Sequence, residues 1–314
     1  MVKILFFGTS NISKALLANL YQNTHTLLGI TMPDKASSRG QKLSFPAVKK
    51  FAIENQIPYI QTQSFEENIC SQIRDFAPDL GIAVSYGKII PDFIFNIPRL
   101  KTFNIHFSLL PKYRGAAPVQ YAICNGESET GISSFFLEKT LDTGDIIVQK
   151  KIQIEAQDNA ETLFNKLIPL GIDIMNESIK VLEKGSLLLQ KQIGIPSFAP
   201  IIKKEDGLID WSKNAIEIKN KIRGLYLWPS AFSYIASGKS AGKRIKIIEA
   251  DIIEADTKNE KSAYIAGIEK NKGFIVSCGI GKLLIKTVQP ENKAKMSAWD
   301  FLQGRQIGIG DWFK

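Results

Sequence analysis

Histidine and cysteine are scarce in this chain, and their scarcity excludes several kinds of site. The 314 residues include two histidines, His25 and His106, and three cysteines, Cys70, Cys124 and Cys278. Two histidines exclude a metal centre built from several imidazoles. The cysteines lie far apart without a C-x-x-C pair, so they predict neither a zinc site nor a disulfide framework. We therefore expect reduced thiols, no metal and a cytoplasmic location.

Long apolar runs are also missing. No stretch approaches the ~18 apolar residues of a membrane-spanning helix. The opening residues MVKILFFGTSN contain no secretory signal or transit peptide, so we expect no membrane association.

At ~150 residues per domain, the length suggests two domains. The formal charge of +9 fits a polyanionic partner without identifying one.

The first half has the pattern of an open, Rossmann-like α/β sheet. The apolar run at 2–7 precedes a tight turn and a helical pattern, which is how a β-α-β unit begins. Further apolar runs at 26–31, 80–85 and 102–107 predict buried parallel strands, with helices at 45–56 and 65–76. In such sheets, ligands bind at the carboxyl ends of the strands.

The second half has a different pattern. A helix predicted over 158–184 ends at Gly185, and a proline-containing stretch without helix signals follows. Short alternating strands near 244–253, 263–270, 273–279 and 281–289 then predict a small antiparallel domain, either barrel or sandwich. Residues 203–314 hold 20 lysines and arginines against 13 acidic residues, whereas residues 1–202 hold 20 against 18. Most of the excess charge therefore lies on the second domain.

Two phosphate-binding loops are absent. The first turn, G-T-S-N-I-S, has one glycine where the dinucleotide fingerprint needs three. The G-x-x-x-x-G-K-[ST] loop does not occur either. We interpret Gly8 as a backbone turn without a ligand.

Three polar side chains suit transfer of an acyl or formyl group. Asn104 and His106 alternate on one face at the end of a predicted strand, and Asp142 lies in a turn of LDTGD before another strand. Histidine can relay an amine proton, asparagine can donate to an oxyanion, and a carboxylate can orient the histidine. A lone histidine beside a strand is also often a core residue, and Asp145 fits a simple turn residue.

The stretch FNIHFSLLPKYRGAAPVQ and the later LDTGD resemble the family of formyltransferases that includes the glycinamide-ribonucleotide and methionyl-tRNA enzymes. The family mark is Asn-x-His-x-Ser-Leu-Leu-Pro followed by a D-x-G loop. Similar motifs occur along nearly the whole chain, among them AVSYGKIIP, TMPDKASSRGQKL, WPSAFSY and KAKMSAWDFL. Two positions depart from the family pattern. Phe107 replaces a smaller residue, and its bulk predicts a narrowed or reshaped approach to His106. The first turn, TSNIS, also differs.

The resemblance implies a co-substrate, 10-formyltetrahydrofolate, and catalytic roles for Asn104, His106 and Asp142. His106 would handle the proton, Asn104 the oxyanion, and Asp142 the orientation of the histidine. The pterin would lie against a backbone-lined slot at Ser108, Leu109, Leu110, Pro111, Tyr86 and Gly87. Packing in the core is an equally good interpretation of the Tyr86 side chain.

The resemblance also implies methionyl initiator tRNA as partner. Arg39, in a Gly/Ser loop with Lys35 and Lys42, matches the family residue that enters the acceptor stem. Phosphate contacts on the basic second domain are predicted for Lys203, Lys204, Lys243, Arg244 and Lys246. Each of these cations also fits an ordinary solvated surface.

The combined interpretation is a monomeric, cytoplasmic enzyme of translation initiation. A Rossmann-like formyltransferase domain (1–189) is predicted, then a linker (190–205) and a basic, OB-like β-barrel that binds tRNA (206–314). It would formylate the amino group of methionyl initiator tRNA. The alternatives are a sugar-nucleotide amine formyltransferase, a related hydrolase and a non-enzymatic RNA-binding protein.

Overall fold

The computed structural model describes residues 2–36, 43–185, 189–304 and 306–314. The chain divides into two compact units whose segments alternate along the sequence. Unit 1 comprises residues 1–115, 130–152 and 165–198, and unit 2 comprises residues 116–129, 153–164 and 199–314. The domain boundaries drawn at 189 and 206 remain a prediction.

Strands and helices alternate in the first half, and strands dominate the second. The strands are β1 (Lys3–Gly8), β2 (Thr26–Thr31), β3 (Lys35–Ala36), β4 (Leu43–Ser44), β5 (Tyr59–Gln61), β6 (Leu80–Val84), β7 (Thr102–His106), β8 (Arg114–Gly115), β9 (Glu129–Phe136), β10 (Ile146–Gln153), β11 (Phe198–Ala199), β12 (Ala231–Tyr234), β13 (Arg244–Lys258), β14 (Ile265–Glu269), β15 (Gly273–Ser277), β16 (Ile280–Pro290) and β17 (Met296–Ser297). The helices are α1 (Asn11–Gln22), α2 (Ala47–Glu54), α3 (Glu67–Phe76), α4 (Asp92–Phe95), α5 (Pro118–Cys124), α6 (Ala160–Lys184), α7 (Ala215–Gly224) and α8 (Ala298–Gln303).

The central sheet of the first unit has the order β10-β9-β7-β6-β1-β2-β5. Strands β5, β2, β1, β6 and β7 run parallel, and β9 joins β7 in the antiparallel sense. All five residues of β6 are buried, because a central parallel strand is covered on both faces. The predicted Rossmann-like α/β domain is confirmed.

Gly8 allows helix α1 to pack closely on the sheet. A Cβ atom at this position would lie 2.6 Å from Cβ of Ser13. Ser13 is fully buried, and its hydroxyl donates to the carbonyl oxygen of Val84 at 2.6 Å. The hydroxyl of Ser10 caps the helix by accepting from the backbone N–H of Ser13. The glycine of the first turn therefore serves helix packing.

The second unit contains a six-stranded antiparallel sheet of order β12-β13-β16-β15-β14, with β17 paired to β16. This confirms the antiparallel domain predicted for the second half. Its buried core includes Trp211, whose indole N–H donates to Ser233 Oγ at 3.0 Å.

Helix α6 ends at Lys184. Gly185 follows with a φ of +65°, the left-handed conformation that glycine commonly adopts just after a helix. Within the described ranges, no helix is long and apolar enough to cross a membrane.

Candidate active site

The carboxyl end of β7 carries the first two candidate catalytic residues. Asn104 pairs with Ala83 of β6 on one side and with Phe135 of β9 on the other, and His106 ends the strand. Because side chains alternate along a strand, Asn104 and His106 share one face. Asn104 is half-buried and His106 is 6% exposed. The backbone thus places a carboxamide and an imidazole at the edge where open α/β sheets bind ligands.

The hydrogen bonds of His106 define its tautomer. Nε2 lies 2.9 Å from the carbonyl oxygen of Tyr113, and a carbonyl can only accept, so Nε2 carries a proton. In the neutral ring, Nδ1 therefore keeps its lone pair. Nδ1 faces Oδ2 of Asp142 at 3.8 Å, which is longer than a hydrogen bond but close enough to stabilise an imidazolium. The basic atom of the ring is thus the one beside the carboxylate.

Asp142 is held in a strained turn between β9 and β10. Its φ of +55° lies in the left-handed region, which aspartate tolerates better than most residues. Its side chain is buried, and Oδ2 accepts from the backbone N–H of Gly115 at 2.7 Å. Gly144 is required because a Cβ there would lie 1.8 Å from the carbonyl oxygen of Phe136. In the D-x-G pattern, the aspartate has left-handed backbone angles, and the glycine lies where the backbone of Phe136 leaves no room for a Cβ.

Several backbone groups of residues 108–111 form hydrogen bonds with side chains of the protein. Ser133 Oγ donates to the carbonyl oxygen of Ser108 at 2.7 Å and accepts from the N–H of Leu110 at 3.1 Å. Gln149 donates to the carbonyl oxygen of Leu110 and to Ser133. Ser108, Leu110 and Pro111 are buried, whereas Leu109 is half-exposed. These bonds shape the wall beside His106.

The loop after β6 has both a buried and an open part. Tyr86 is 4% exposed, packs its ring at 5.7 Å from that of Phe7 and donates to the carbonyl oxygen of Thr62. Burial raises the pKa of Tyr86 to about 12. The side chain of Tyr86 is therefore a core group. Gly87 is exposed, and a Cβ at this position would meet no atom within 4 Å. Ile89, two residues later, is 81% exposed, so the accessible surface here includes backbone and an aliphatic side chain.

Phe107 lies away from the imidazole. It is 5% exposed, and its ring packs near Gly171 of α6, where a Cβ would lie 3.6 Å from the ring. Ile105, two residues earlier, contacts the same position, as strand alternation requires. The expectation that Phe107 narrows the approach to His106 is therefore wrong, because the two side chains occupy opposite faces of β7.

Segment 190–197, which was predicted as linker, contacts the site within unit 1. Gln190 forms backbone hydrogen bonds with Ile146 in both directions, and Lys191 pairs with Asp145 at 2.9 Å. Ser197 Oγ accepts from the N–H of Tyr113, the residue whose carbonyl binds His106. Nothing in the composition of this segment indicated these contacts, because they are made by ordinary polar side chains and backbone.

The predicted tRNA-binding residues fall in several places. Lys35 is exposed on β3, which pairs with β4, whereas Arg39 and Lys42 lie outside the described residues. Lys203, Lys204 and Lys243 are exposed in unit 2. The four described lysines are thus accessible to solvent, and their contact with tRNA stays a prediction.

A basic cluster with aromatic neighbours is more distinctive. Arg244 lies 5.6 Å from the ring of Phe232, and Lys295 lies 4.6 Å from that of Tyr226. Burial, and the positive charges of Arg244 and then Lys295, lower the pKa of Lys246. The charges of Arg244 and Lys295 therefore both act on the ammonium of Lys246. Lys295 was missed from the sequence, because it is 49 positions from Lys246 and only the sheet brings them together.

Candidate metal ligands do not gather in the parts of the chain described. No group of three or more His, Cys, Asp or Glu side chains there is arranged to hold a metal ion. Burial raises the pKa of the partly buried Cys124 to about 11 and that of the buried Cys278 to about 12.

Comparisons with known proteins identify the family of the chain. Residues 2–179 match the formyl transferase family, and residues 201–306 match the formyl transferase C-terminal domain. The chain therefore belongs to the formyl transferase family. It is 54% identical over 312 residues to methionyl-tRNA formyltransferase of Endomicrobium trichonymphae, covering 99% of this chain and 100% of that protein. It is 39% identical over 309 residues to methionyl-tRNA formyltransferase of Thermodesulfovibrio yellowstonii, covering 98% of this chain and 97% of that protein.

Solved structures share the fold. HypX from Aquifex aeolicus, in complex with tetrahydrofolic acid, superimposes with a TM-score of 0.65 at 16% identity, and the match covers 98% of this chain and 48% of that one. The sugar 3N-formyl transferase WlaRD, solved with dTDP and 5-N-formyl-THF, superimposes with a TM-score of 0.64 at 26% identity, covering 94% and 99%.

Proposed function

We propose that this protein transfers the formyl group of 10-formyltetrahydrofolate to the amino group of methionine esterified to initiator tRNA. The observation that carries the proposal is the pairing of His106 Nδ1 with Asp142 at 3.8 Å, two residues along β7 from Asn104. Full-length similarity to proteins named methionyl-tRNA formyltransferase supports the choice of substrate. We further propose that it acts as a cytoplasmic monomer.

His106 manages the proton of the attacking amine. The amine nitrogen bonds to the formyl carbon and loses a proton to Nδ1, the lone-pair nitrogen identified above. The bond between the formyl carbon and the donor nitrogen then breaks, and the same proton passes to that nitrogen. Formyl-methionyl-tRNA and tetrahydrofolate result, and the imidazole returns to its starting state.

Asn104 and Asp142 stabilise the charges that develop in this step. The half-buried carboxamide of Asn104 donates to the formyl oxygen as it becomes negative. The buried carboxylate of Asp142 stabilises the imidazolium while His106 holds the proton. No serine or cysteine is needed as a nucleophile, because the substrate amine attacks directly.

The folate would occupy the edge between the loops after β6 and β7. Its pterin ring can hydrogen-bond to the exposed backbone at Gly87 and stack on aliphatic groups such as Ile89 and Leu141, which are 81% and 61% exposed. The inward-facing bonds of 108–110 make that stretch a wall of the slot. We propose that Ser108, Leu109, Leu110, Pro111 and the Tyr86–Gly87 backbone line the pterin site.

The tRNA would be held through its phosphates and its acceptor end. Lys35 and, outside the described residues, Arg39 and Lys42 are proposed to contact the acceptor stem. Lys203, Lys204, Lys243, Arg244 and Lys246 are proposed phosphate contacts, and Lys295 is proposed with them because its charge acts on Lys246. The cluster of Arg244, Lys246 and Lys295 concentrates positive charge in the way a phosphate site requires.

Salt dependence tests the basic cluster. Arg244→Ala and Lys295→Ala should each weaken tRNA binding and lower the slope of log affinity against log salt by about 1. The matched control is Lys272→Ala, which removes a lysine of the same unit that pairs with Glu269. Binding measured by filter retention at several salt concentrations separates the two. A slope that stays unchanged in both cluster variants would contradict phosphate contacts at this site.

A formylation assay tests the proposed function. The purified protein is incubated with 10-formyltetrahydrofolate and methionyl initiator tRNA, and formyl-methionine is measured after the ester is hydrolysed. Methionyl elongator tRNA and an amino-sugar nucleotide are the comparison substrates. We expect product with initiator tRNA and little with either of the others. Preference for the amino-sugar nucleotide would instead support the sugar formyltransferase alternative, to which the similarity with WlaRD points.

A further inference from the structure

A single amide side chain in segment 190–197, that of Gln192, bonds to the backbone of the Asp142 turn and to the side chain of Arg114. Gln192 Nε2 donates to the carbonyl oxygens of Asp142 and Gly144, both at 2.9 Å. Its Oε1 accepts from the guanidinium of Arg114, at 2.6 Å from one terminal nitrogen and 3.3 Å from Nε. Because guanidinium groups only donate and carbonyl oxygens only accept, the orientation of this amide is fixed.

These bonds belong to a closed hydrogen-bond network that includes the Asp142 carboxylate. Gly115, directly after Arg114, donates its N–H to Asp142 Oδ2 at 2.7 Å. Arg114 itself donates its backbone N–H to the carbonyl oxygen of Ser197, five residues beyond Gln192. Gln192 therefore connects the backbone that carries Asp142 to the side chain of Arg114, the residue before the Gly115 amide that binds the Asp142 carboxylate.

The turn needs such a support. Asp142 has a φ of +55°, a conformation that aspartate tolerates better than most residues but that still has a cost which surrounding bonds must offset. The two carbonyl oxygens that Gln192 binds lie on Asp142 and two residues later, so they bracket the turn. Loss of both bonds would leave the turn free to relax and move the carboxylate from its place 3.8 Å from His106.

We propose that Gln192 is a positioning residue for formyl transfer that acts through Asp142. This inference rests on the proposed function of the His106–Asp142 pair. Gln192 contacts neither catalytic side chain in the bonds described. It sets the distance between them by holding the 142–144 turn against Arg114 and Gly115.

Two substitutions test this role. Gln192→Met keeps the length of the side chain and removes all four hydrogen bonds. Gln192→Glu keeps the acceptor for Arg114 but replaces the donor Nε2 with an oxygen that faces two carbonyl oxygens, so it should impair the turn as well. In both variants we expect kcat to fall ~10- to 100-fold, because small displacements of catalytic groups have costs of this size. The KM values for folate and tRNA should change little.

The matched control is Gln72→Met. Gln72 is an exposed residue of α3 whose amide donates to the carbonyl oxygen of Asn68 in the same helix. It should retain the wild-type kcat. Thermal unfolding of all variants by circular dichroism identifies any loss of activity that comes from unfolding.

A double-mutant cycle shows whether Gln192 acts through Asp142. If it does, adding Gln192→Met to Asp142→Asn should cost much less than the single Gln192 substitution costs in wild type. Multiplicative losses would overturn the proposal, as would wild-type kcat in both Gln192 variants.

A measurement without turnover keeps this inference separate from the proposed function. Hydrogen exchange of the Gly115 amide reports its bond to Asp142 directly. We expect protection in wild type and in Gln72→Met, and at least ~10-fold faster exchange in Gln192→Met. Unchanged exchange would overturn the positioning role even if formylation is observed. A wild-type protein that does not formylate tRNA would overturn the proposed function instead, whatever the exchange shows.

Discussion

Replacing His106 with alanine should lower the rate of formyl transfer roughly 100- to 10,000-fold, the range for loss of a general acid–base group. In the proposed mechanism the imidazole takes the amine proton, since Nδ1 keeps its lone pair while Nε2 donates to the carbonyl oxygen of Tyr113. The rate is measured as formyl-methionine produced under saturating folate and tRNA. Affinity for folate should change far less than kcat, because the ring handles a proton of the other substrate.

The only other histidine provides a matched control. His25 lies between α1 and β2, where burial lowers its pKa despite the nearby charge of Glu183. Its replacement with alanine should leave formyl transfer near the wild-type rate. Full activity in His106→Ala would refute the proton-transfer role, and a comparable loss in His25→Ala would show that the effect is not specific to the site.

Asp142→Asn should reduce kcat by roughly 100-fold or more, because removing the charged partner of a catalytic histidine has effects of that order or larger. Asparagine has nearly the same shape, accepts from the Gly115 amide and tolerates the left-handed φ of +55°. The substitution therefore removes the charge that stabilises the imidazolium while it preserves the turn. Single-turnover rates with prebound folate and tRNA measure this step directly.

Asp145→Asn is the control for that experiment. Asp145 is the second aspartate of the same LDTGD motif, and its carboxylate pairs with the exposed ammonium of Lys191. Exposed ion pairs contribute only about 0–1 kcal/mol, so both stability and rate should stay close to wild type. If Asp145→Asn lost as much activity as Asp142→Asn, the motif rather than the Asp142 charge would explain the loss.

Much of the fold was predictable because buried strands have a simple signature. The apolar runs at 26–31, 80–85 and 102–107 became β2, β6 and β7, with ends that agree within one residue. Parallel strands covered on both faces need continuous apolar sequence, and little else produces that pattern. The antiparallel strands of the second half were predicted for the related reason that one face is apolar and the other solvated.

The short elements of the second unit were harder to predict. Helix α7 has only ten residues, and β12 lies in a stretch that was noted only for its resemblance to the family. Both depend on packing against β13 rather than on their own periodicity. Local sequence is a weak guide where tertiary contacts supply most of the stability.

By itself, the sequence determined the class of sheet, the placement of Asn104 and His106 on one face, and membership of the formyl transferase family. Strand periodicity and motif spacing are local properties, so one chain suffices to read them. Only the tertiary structure decided which nitrogen of His106 is basic, that Phe107 faces α6, and that Gln192 binds the Asp142 turn. Each of these depends on groups brought together from distant positions, and a hydrogen bond or a contact exists only at a particular distance and orientation.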